Sequence, residues 1–182
     1  RMRAEIRALQ QRLGLTALYV THDQEEALAV SDEIVLMRAG RMEQRGSPQQ
    51  IVREPANAFV AGFIGQSMLL PAQVEALPGG EVAVNCGPLH LVLPAPSALA
   101  SVDAAAAWQL AVRPWALRLE PGGLAEVLAV RYLGHQHEVD LRLPDLGDLT
   151  AVVHEPAAFV PAAGGRCGMM LHPHGCALVL AG

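Results

Sequence analysis

The sequence predicts an α/β part followed by an all-β part, and two observations support this prediction. Up to Gly65, apolar residues recur at helical spacing, and serine, asparagine, proline and glycine stand where helices begin and end. After Gly65, short apolar runs alternate with Pro-Gly-Gly and similar turn signals. Because the pattern changes at this point, we place a domain boundary there, with residues 1–66 in the first domain and residues 67–182 in the second.

The first predicted elements are a helix and a strand that leads to a histidine. Apolar residues at every third or fourth position predict a helix over residues 2–13, and Gly14 suits its carboxyl-terminal end. The run 15–20 is nearly all apolar, which predicts a strand buried on both faces, as in a parallel sheet. His22 then lies just beyond the carboxyl end of this strand, where open α/β sheets bind ligands.

Helix-capping residues and a turn predict the rest of the first part. Asp23 with Glu26 three residues later indicates a capping box at the start of a short helix. A turn at residues 39 and 40 predicts a hairpin over residues 33–45. Two further helices are predicted, one capped by Ser47 with Pro48 and Gln50, and one capped by Asn57 with Phe59 and Phe63 a turn apart.

A series of short strands is predicted for the second part, and their spacing indicates a small barrel or sandwich. The predicted strands are 70–76, 81–85, 89–93, 108–113, 124–133, 137–143, 149–154, 167–172 and 177–180. Turns are predicted at Pro78-Gly79-Gly80 and Pro121-Gly122-Gly123, and residues 94–107 form one long interruption. No internal repeat is evident in the sequence.

The composition excludes several classes of protein. An apolar fraction of 52% is ample for a buried core, and no apolar run approaches the roughly 20 residues that span a bilayer. The net charge of −5 comes from residues 67–182, so a nucleic-acid surface is not expected. Three cysteines without C-x-x-C spacing argue against a disulfide framework and a structural zinc site. All thirteen basic residues are arginine, so the chain contains no Walker A lysine.

Four ordered pieces of residues 1–66 resemble the carboxyl end of importer-type ATP-binding-cassette ATPases. They are Tyr19-Val20-Thr21-His22-Asp23-Gln24-Glu25-Glu26-Ala27, Asp32-Glu33-Ile34-Val35-Leu36-Met37, Gly40-Arg41-Met42-Glu43-Gln44 with Gly46-Ser47-Pro48, and Pro55 followed by Phe59-Val60-Ala61-Gly62-Phe63-Ile64-Gly65. Residues 67–182 resemble the extension found in the ATPases of sugar, ferric-iron, polyamine and sulfate importers, matched at Arg113-Pro114 before Leu117-Arg118-Leu119 and at Tyr132-Leu133-Gly134. The resemblance implies a fold in two parts, the α/β tail of a P-loop ATPase domain followed by an all-β OB-like barrel, the TOBE domain.

The resemblance also implies a catalytic role for His22, which in this family contacts the γ-phosphate of ATP. In the family, the P-loop, the signature loop and the Mg²⁺-binding aspartate all precede this histidine, so the resemblance implies an incomplete ATPase. ATP and Mg²⁺ are the cofactors expected in the full-length protein, and none is expected for the 182 residues alone. The implied role is the carboxyl-terminal regulatory portion of an ATP-hydrolysing subunit. Residues 65–72 resemble the ferric-iron branch of the family, which implies ferric iron as the solute, with polyamine, sulfate or sugar as alternatives.

The implied partners are a second copy of the subunit and the membrane permease subunits. The subunit is then expected on the cytoplasmic face of the inner membrane, without itself being inserted. A stand-alone ligand-sensing or dimerisation module without catalysis is the alternative. In either case the predicted sheet edge at residues 15–21 lacks neighbours, so we expect it to pair with a second chain or to be disordered.

Two groups of side chains in the second part invite other functions. A metal site is geometrically possible at His135, His137, Glu138 and Asp140, with His172 and His174 adding two imidazoles. We favour a polar strand and a proline turn over a metal site. Trp108, Trp115 and Tyr132 are candidates for base stacking, but the acidic balance favours barrel-core or dimer-contact roles.

Overall fold

The chain divides into two compact units. The computed structural model describes residues 2–96 and 106–181. Unit 1 is Arg1–Ala56 and unit 2 is Asn57–Gly182. This division falls before the predicted boundary at residue 66 and places the helix capped by Asn57 in unit 2. The extent of the ATPase portion stays a prediction.

Unit 1 contains short helices around one hairpin. Its elements are α1 (Met2–Leu13), α2 (Gln24–Val30), β1 (Ile34–Arg38), β2 (Arg41–Gly46) and α3 (Pro48–Arg53). The hairpin turn confirms the prediction, because Ala39 and Gly40 have φ values of 48° and 77°, as a type I′ turn requires at both positions. Gly14, with φ at 62°, follows the last residue of α1 as predicted.

The predicted strand at residues 15–20 is not a strand. These residues have no regular secondary structure, and Leu18 and Val20 are 94% and 88% exposed. A strand needs hydrogen-bonding neighbours, and no strand of the described part of unit 1 pairs with this segment. The prediction of a buried strand is therefore wrong for this chain, since apolar composition alone does not supply a sheet.

Side-chain hydrogen bonds stabilise both ends of α3. Ser47 Oγ accepts a hydrogen bond from Gln50 N at 3.3 Å, and Gln50 Oε1 accepts one from Ser47 N at 2.9 Å, which confirms the predicted capping box. At the other end, the Gln44 side chain donates to Glu54 O at 2.9 Å and accepts from Ala56 N at 2.8 Å. The helix is thereby tied to strand β2 of the hairpin.

Unit 2 consists of one short helix and two antiparallel sheets. Its helix is α4 (Ala58–Phe63), and its strands are β3 (Met68–Leu77), β4 (Glu81–Cys86), β5 (Leu89–Pro94), β6 (Trp108–Val112), β7 (Leu117–Tyr132), β8 (Gln136–Leu143), β9 (Gly147–His154), β10 (Arg166–Leu171) and β11 (Cys176–Leu180). One sheet has the order β11-β6-β3-β4-β5 and the other β10-β7-β8-β9. Each predicted strand is present. Residues 97–105 of the predicted interruption lie outside the described residues.

Strand β7 corrects the predicted turn at residues 121–123. The chain continues as a strand through these residues, and its pairing with β10 jumps from Pro121 opposite Cys167 to Glu126 opposite Arg166. The extra residues form a bulge that brings two backbones together, since a Cβ on Gly123 would lie 2.5 Å from Gly168 Cα. The glycines therefore permit a close backbone crossing inside a strand.

The core of unit 2 lies between the two sheets. Leu110 and Val84 from one sheet and Val139 and Leu141 from the other are fully buried in one cluster. The helix α4 covers the outer face of β11, β6 and β3 through a second cluster that includes Ala61, Ala111 and Ala177. Alanine at these positions lets the helix backbone approach the sheet. Unit 2 thus has its own hydrophobic core.

Two proline turns show an internal symmetry that is not evident in the sequence. The first turn, residues 113–116, and the second turn, residues 172–175, each contain a 3₁₀ turn that begins at a proline. Arg113 N donates to Gly175 O at 3.0 Å, and His172 N donates to Ala116 O at 2.8 Å. Within each turn, Ala116 N donates to Arg113 O at 2.8 Å and Gly175 N to His172 O at 3.0 Å. Each of these hydrogen bonds has an equivalent when the residues of one turn are replaced by the corresponding residues of the other. An approximate twofold axis therefore relates the two turns.

The same axis relates the strands that flank these turns. The first turn leads from β6 to β7 and the second from β10 to β11, and β6 pairs with β11 while β7 pairs with β10. Each turn therefore carries the chain from one sheet to the other. We call the pair of turns the twin turns. At their contact a small residue is required, because a Cβ on Gly175 would lie 2.3 Å from Ala116 Cβ.

Candidate functional site

His22 lies on an exposed bend directly before α2. Its neighbours hold the bend in place, and we call residues 21–23 the histidine loop. Thr21 Oγ1 accepts a hydrogen bond from Asp23 N at 3.0 Å and donates one to Glu26 Oε2 at 3.0 Å. Asp23 Oδ1 accepts from Glu26 N at 3.0 Å, as an N-cap does. The three bonds close a ring that spans the histidine.

This ring differs from the predicted capping box in one respect. The Asp23 cap is confirmed, but the Glu26 carboxylate bonds the Thr21 hydroxyl and the hydroxyl, in turn, satisfies the Asp23 amide. Thr21 is not among the site residues predicted from the sequence. Its position in the sequence could have indicated this role, because Thr21 stands two residues before the N-cap Asp23. A threonine hydroxyl can accept a hydrogen bond from the backbone N–H two residues further along the chain.

An arginine from α1 fastens the other end of α2. Arg7 donates to the Val30 carbonyl at the end of α2 and to Asp32 Oδ1 at 2.8 Å. A basic side chain is favourable at a helix carboxyl terminus, where the carbonyl groups are otherwise unsatisfied. Beside these residues lies a cleft of about 460 Å³, to which Ser47 and Gln49 contribute polar groups. The helix that follows His22 is therefore held at both ends.

The histidine loop offers one exposed imidazole on an ordered backbone. An imidazole nitrogen can donate a hydrogen bond to an anionic oxygen without competing with buried groups. One imidazole, however, cannot position or neutralise a triphosphate, which requires a phosphate-cradling loop and a metal ion. The 182 residues contain neither a lysine nor a G-x-x-x-x-G-K-[ST] segment. The His22 imidazole could therefore supply one of several contacts to a terminal phosphate.

The histidine and carboxylate cluster on β8 forms ion pairs. Arg131 binds Asp140 in bidentate fashion at 2.5 and 3.0 Å, and this hydrogen-bonded contact holds the pKa of Asp140 below its usual range. His137 Nε2 lies 2.7 Å from Glu155 Oε1, while its Nδ1 is buried with no hydrogen-bond partner. Within the described residues, no group of three or more His, Cys, Asp or Glu side chains could hold a metal ion. The cluster is thus arranged as a network of pairs, together with the exposed His135.

The aromatic candidates have different surroundings. Trp108 is 9% exposed and belongs to the core of unit 2, as predicted. Trp115 and Tyr132 are 47% and 62% exposed, so neither belongs to the core, and the other predicted role, a dimer contact, stays a prediction for both. Tyr132 instead lies against the His137 ring, with centroids 4.9 Å apart.

The three cysteines of unit 2 are buried thiols. Burial raises the pKa of Cys86 to about 11 and that of Cys176 to about 12. Arg113 lies in the same region and is 5% exposed, and burial lowers its pKa. Burial also raises the pKa of Cys167, so none of the three thiols has the exposed, low-pKa character of a reactive cysteine.

Comparison with known proteins finds relatives among import ATP-binding proteins. No protein-family model matches the chain. The ferric-iron import ATP-binding protein FbpC of Brucella abortus (strain 2308) is 43% identical over 145 residues, which are 78% of this chain and 40% of that protein. The chain is a relative of the ATP-binding subunits of ATP-binding-cassette importers. The spermidine/putrescine import ATP-binding protein PotA of Rubrobacter xylanophilus is likewise 43% identical, over 155 residues, 82% of this chain and 41% of that protein.

The importer relatives confirm the resemblance seen in the sequence, over part of their length. The chain spans about two fifths of the length of these curated relatives. A solved structure of ModG, described as a cytoplasmic molybdate-binding protein, matches with a TM-score of 0.50 and 19% identity, covering 63% of this chain and 96% of that one. At this identity the likeness concerns the fold alone. The mostly β part of the predicted fold class is thereby confirmed, and the TOBE domain and the P-loop ATPase tail stay predictions.

None of the helices in the described part of the chain is both long and apolar enough to cross a bilayer.

Proposed function

We propose that these residues are the carboxyl-terminal portion of the ATP-hydrolysing subunit of an importer, and that the imported solute is ferric iron. The observation that carries the proposal is the 43% identity over 145 residues with the ferric-iron import protein of Brucella abortus. A polyamine is the second candidate solute, because the spermidine/putrescine relative has the same identity. Residues 1–66 form the tail of the ATPase domain in this proposal.

In the proposed subunit, His22 is the residue of this chain that contacts ATP. Mg²⁺-ATP supplies the phosphoryl group and is held mainly by a P-loop portion of the subunit. His22 donates a hydrogen bond to the γ-phosphate and orients the attacking water, so that hydrolysis depends on the terminal phosphate. The three hydrogen bonds of the histidine loop favour this role, because a donor that is already positioned needs little reorganisation in the transition state.

The proposed assembly contains two copies of the subunit and a membrane permease. We place the subunit on the cytoplasmic face of the inner membrane, where the permease couples ATP hydrolysis to import. Unit 2 is the regulatory and dimerisation domain in this proposal, and its separate core supports such a role. The same separate core also fits the alternative of a non-catalytic module. A G-x-x-x-x-G-K-[ST] segment in the coding sequence ahead of Arg1 would favour the ATPase, and a natural start near Met2 the module.

The test is the variant His22→Ala in a subunit that carries the P-loop portion. We expect ATP to bind as before and hydrolysis to fall by about a hundredfold or more, the effect of removing one transition-state donor. His135→Ala, a change of another exposed histidine, is the matched control and should hydrolyse ATP at the normal rate. Near-normal hydrolysis by His22→Ala would refute the assignment. Uptake of labelled ferric iron or spermidine by cells with the intact transporter distinguishes the two solutes.

A further inference from the structure

The second of the twin turns presents two imidazoles to solvent. His172 and His174 are both exposed, their ring centroids lie 5.2 Å apart, and their planes are inclined at 53°. Pro173 stands between them and begins the 3₁₀ turn. The backbone on both sides is fixed by the hydrogen bonds between the turns. The pair is therefore held on a rigid support and is free to rotate only at its side chains.

The fold does not require histidine at either position. The approximate twofold places Arg113 and Trp115 of the first turn where His172 and His174 stand in the second. Both turns nevertheless form the same backbone hydrogen bonds, at 2.8 to 3.0 Å. The geometry of the turn thus depends on the proline and on the small residue that follows, and the two imidazoles are available for another role.

We propose that His172 and His174 together bind a divalent transition-metal ion. A metal 2.0–2.1 Å from an imidazole nitrogen lies about 3.2 Å from the ring centroid. Two rings whose centroids are 5.2 Å apart then subtend an angle of about 109° at the ion, the tetrahedral value that zinc prefers. Because both rings are exposed, rotation about their terminal torsions can direct a nitrogen of each towards the ion at little cost.

The chemistry of the pair selects the class of ion. Imidazole suits Cu²⁺, Zn²⁺ and Ni²⁺, with Cu²⁺ bound most tightly, whereas Mg²⁺ and Ca²⁺ prefer oxygen ligands. The Cys176 thiol is not counted as a third ligand, because it is buried and its Sγ donates a hydrogen bond to the His172 carbonyl oxygen at 3.5 Å. Water or a small exogenous ligand completes the coordination. This proposal concerns unit 2 alone and does not depend on which solute the importer carries.

The test is isothermal titration calorimetry of the full chain with CuCl₂, ZnCl₂ and MgCl₂. We expect one Cu²⁺ or Zn²⁺ per chain, with Cu²⁺ bound more tightly, and no heat of binding from Mg²⁺. The double variant His172→Gln and His174→Gln should lose this binding, whereas His135→Gln, the control, should retain it. The control also separates this site from the cluster on β8.

Tryptophan fluorescence provides a second measurement. A Cβ on Gly175 would lie 3.0 Å from the Trp115 ring, so this indole lies beside the proposed site, and bound Cu²⁺ should quench its emission. The quenching should disappear in the double variant, and a thermal melt like that of the parent chain shows that the variant is folded. Absence of saturable Cu²⁺ and Zn²⁺ binding, or an unchanged isotherm in the folded double variant, would overturn the proposal.

Discussion

The contact between the twin turns predicts that a stability defect can be repaired by exchanging two small residues. In Gly175→Ala, the new Cβ would lie 2.3 Å from Ala116 Cβ, far inside the contact distance of two methyl groups. Overpacking of this kind costs about 1–3 kcal/mol. The φ of Gly175 is not in the left-handed region, so replacement by alanine adds no backbone strain. We therefore expect Gly175→Ala to lower the free energy of unfolding by about 2 kcal/mol.

The reciprocal change should relieve this overlap. Ala116→Gly alone removes a fully buried methyl group, which costs about 0.8 kcal/mol, and adds backbone freedom worth about 0.5–1 kcal/mol. In the double variant the methyl group is restored on the opposite turn, and the overlap is gone. We expect a total loss of about 1 kcal/mol in the double variant, although the separate losses add to about 3.5 kcal/mol. The Trp115 ring also lies near the new Cβ, but this side chain is 47% exposed and can shift.

Urea unfolding followed by tryptophan fluorescence measures these free energies. The chain has two tryptophans, Trp108 and Trp115, and both lie in unit 2, so the signal reports this unit alone. A coupling energy above about 1 kcal/mol between the two substitutions supports the twofold contact, since residues in contact are expected to be non-additive. Additive losses, or a Gly175→Ala chain as stable as the parent, would refute the reasoning.

Two further predictions concern hydrogen bonds of single side chains. Thr21→Val removes two hydrogen bonds of the histidine loop, each worth about 1 kcal/mol. Hydrogen exchange of the Asp23 amide, measured by NMR, should therefore accelerate about fivefold or more, whereas the control Thr16→Val should leave it unchanged. Unaltered exchange in Thr21→Val would contradict the ring of hydrogen bonds. Asp140 has a lowered pKa in the folded chain, so its stabilising effect is present above its unfolded pKa of about 3.9 and is lost as the pH falls. In urea unfolding, Asp140→Asn should therefore be less stable than the parent at pH 7 and nearly equal to it near pH 2. Asp145→Asn is the control. The same difference in stability at both pH values would exclude the ionised Asp140 carboxylate as its cause.

Local chemistry made the helix starts and the hairpin predictable. The caps at Ser47 and Asn57 and the turn at residues 39 and 40 each depend on a few consecutive residues, and each was confirmed. Such elements satisfy their own backbone groups, so the sequence near them is sufficient. The position of His22 before a helix was predictable for the same reason.

Where the sequence prediction was wrong, the secondary structure depends on pairing between residues that are distant in the chain. Residues 15–20 have the composition of a buried strand but no neighbour in the described part of unit 1. Residues 121–123 have the composition of a turn, yet they continue β7 because β10 lies alongside them. Periodicity describes which faces are apolar and does not identify the partner strand.

The twin turns show why a structural repeat can be undetectable in the sequence. The first turn reads Arg113-Pro114-Trp115-Ala116 and the second His172-Pro173-His174-Gly175, so the proline is the one shared residue. What the two turns share is a pattern of backbone hydrogen bonds, which side chains specify only weakly. The pair of imidazoles stands out once the structure places it opposite an arginine and a tryptophan.

The strand pairing of unit 2 also sets the order in which it can fold during synthesis. Strand β11 is synthesised much later than β6, with which it pairs. Until β11 emerges, β6 lacks one neighbour, and the apolar residues that contact α4 lack part of their surface. Contacts that join distant parts of a chain form slowly, because the loop between them must first be closed. Unit 2 therefore completes its core only after β11 has been synthesised, because Cys176 and Leu178 of this strand belong to the core.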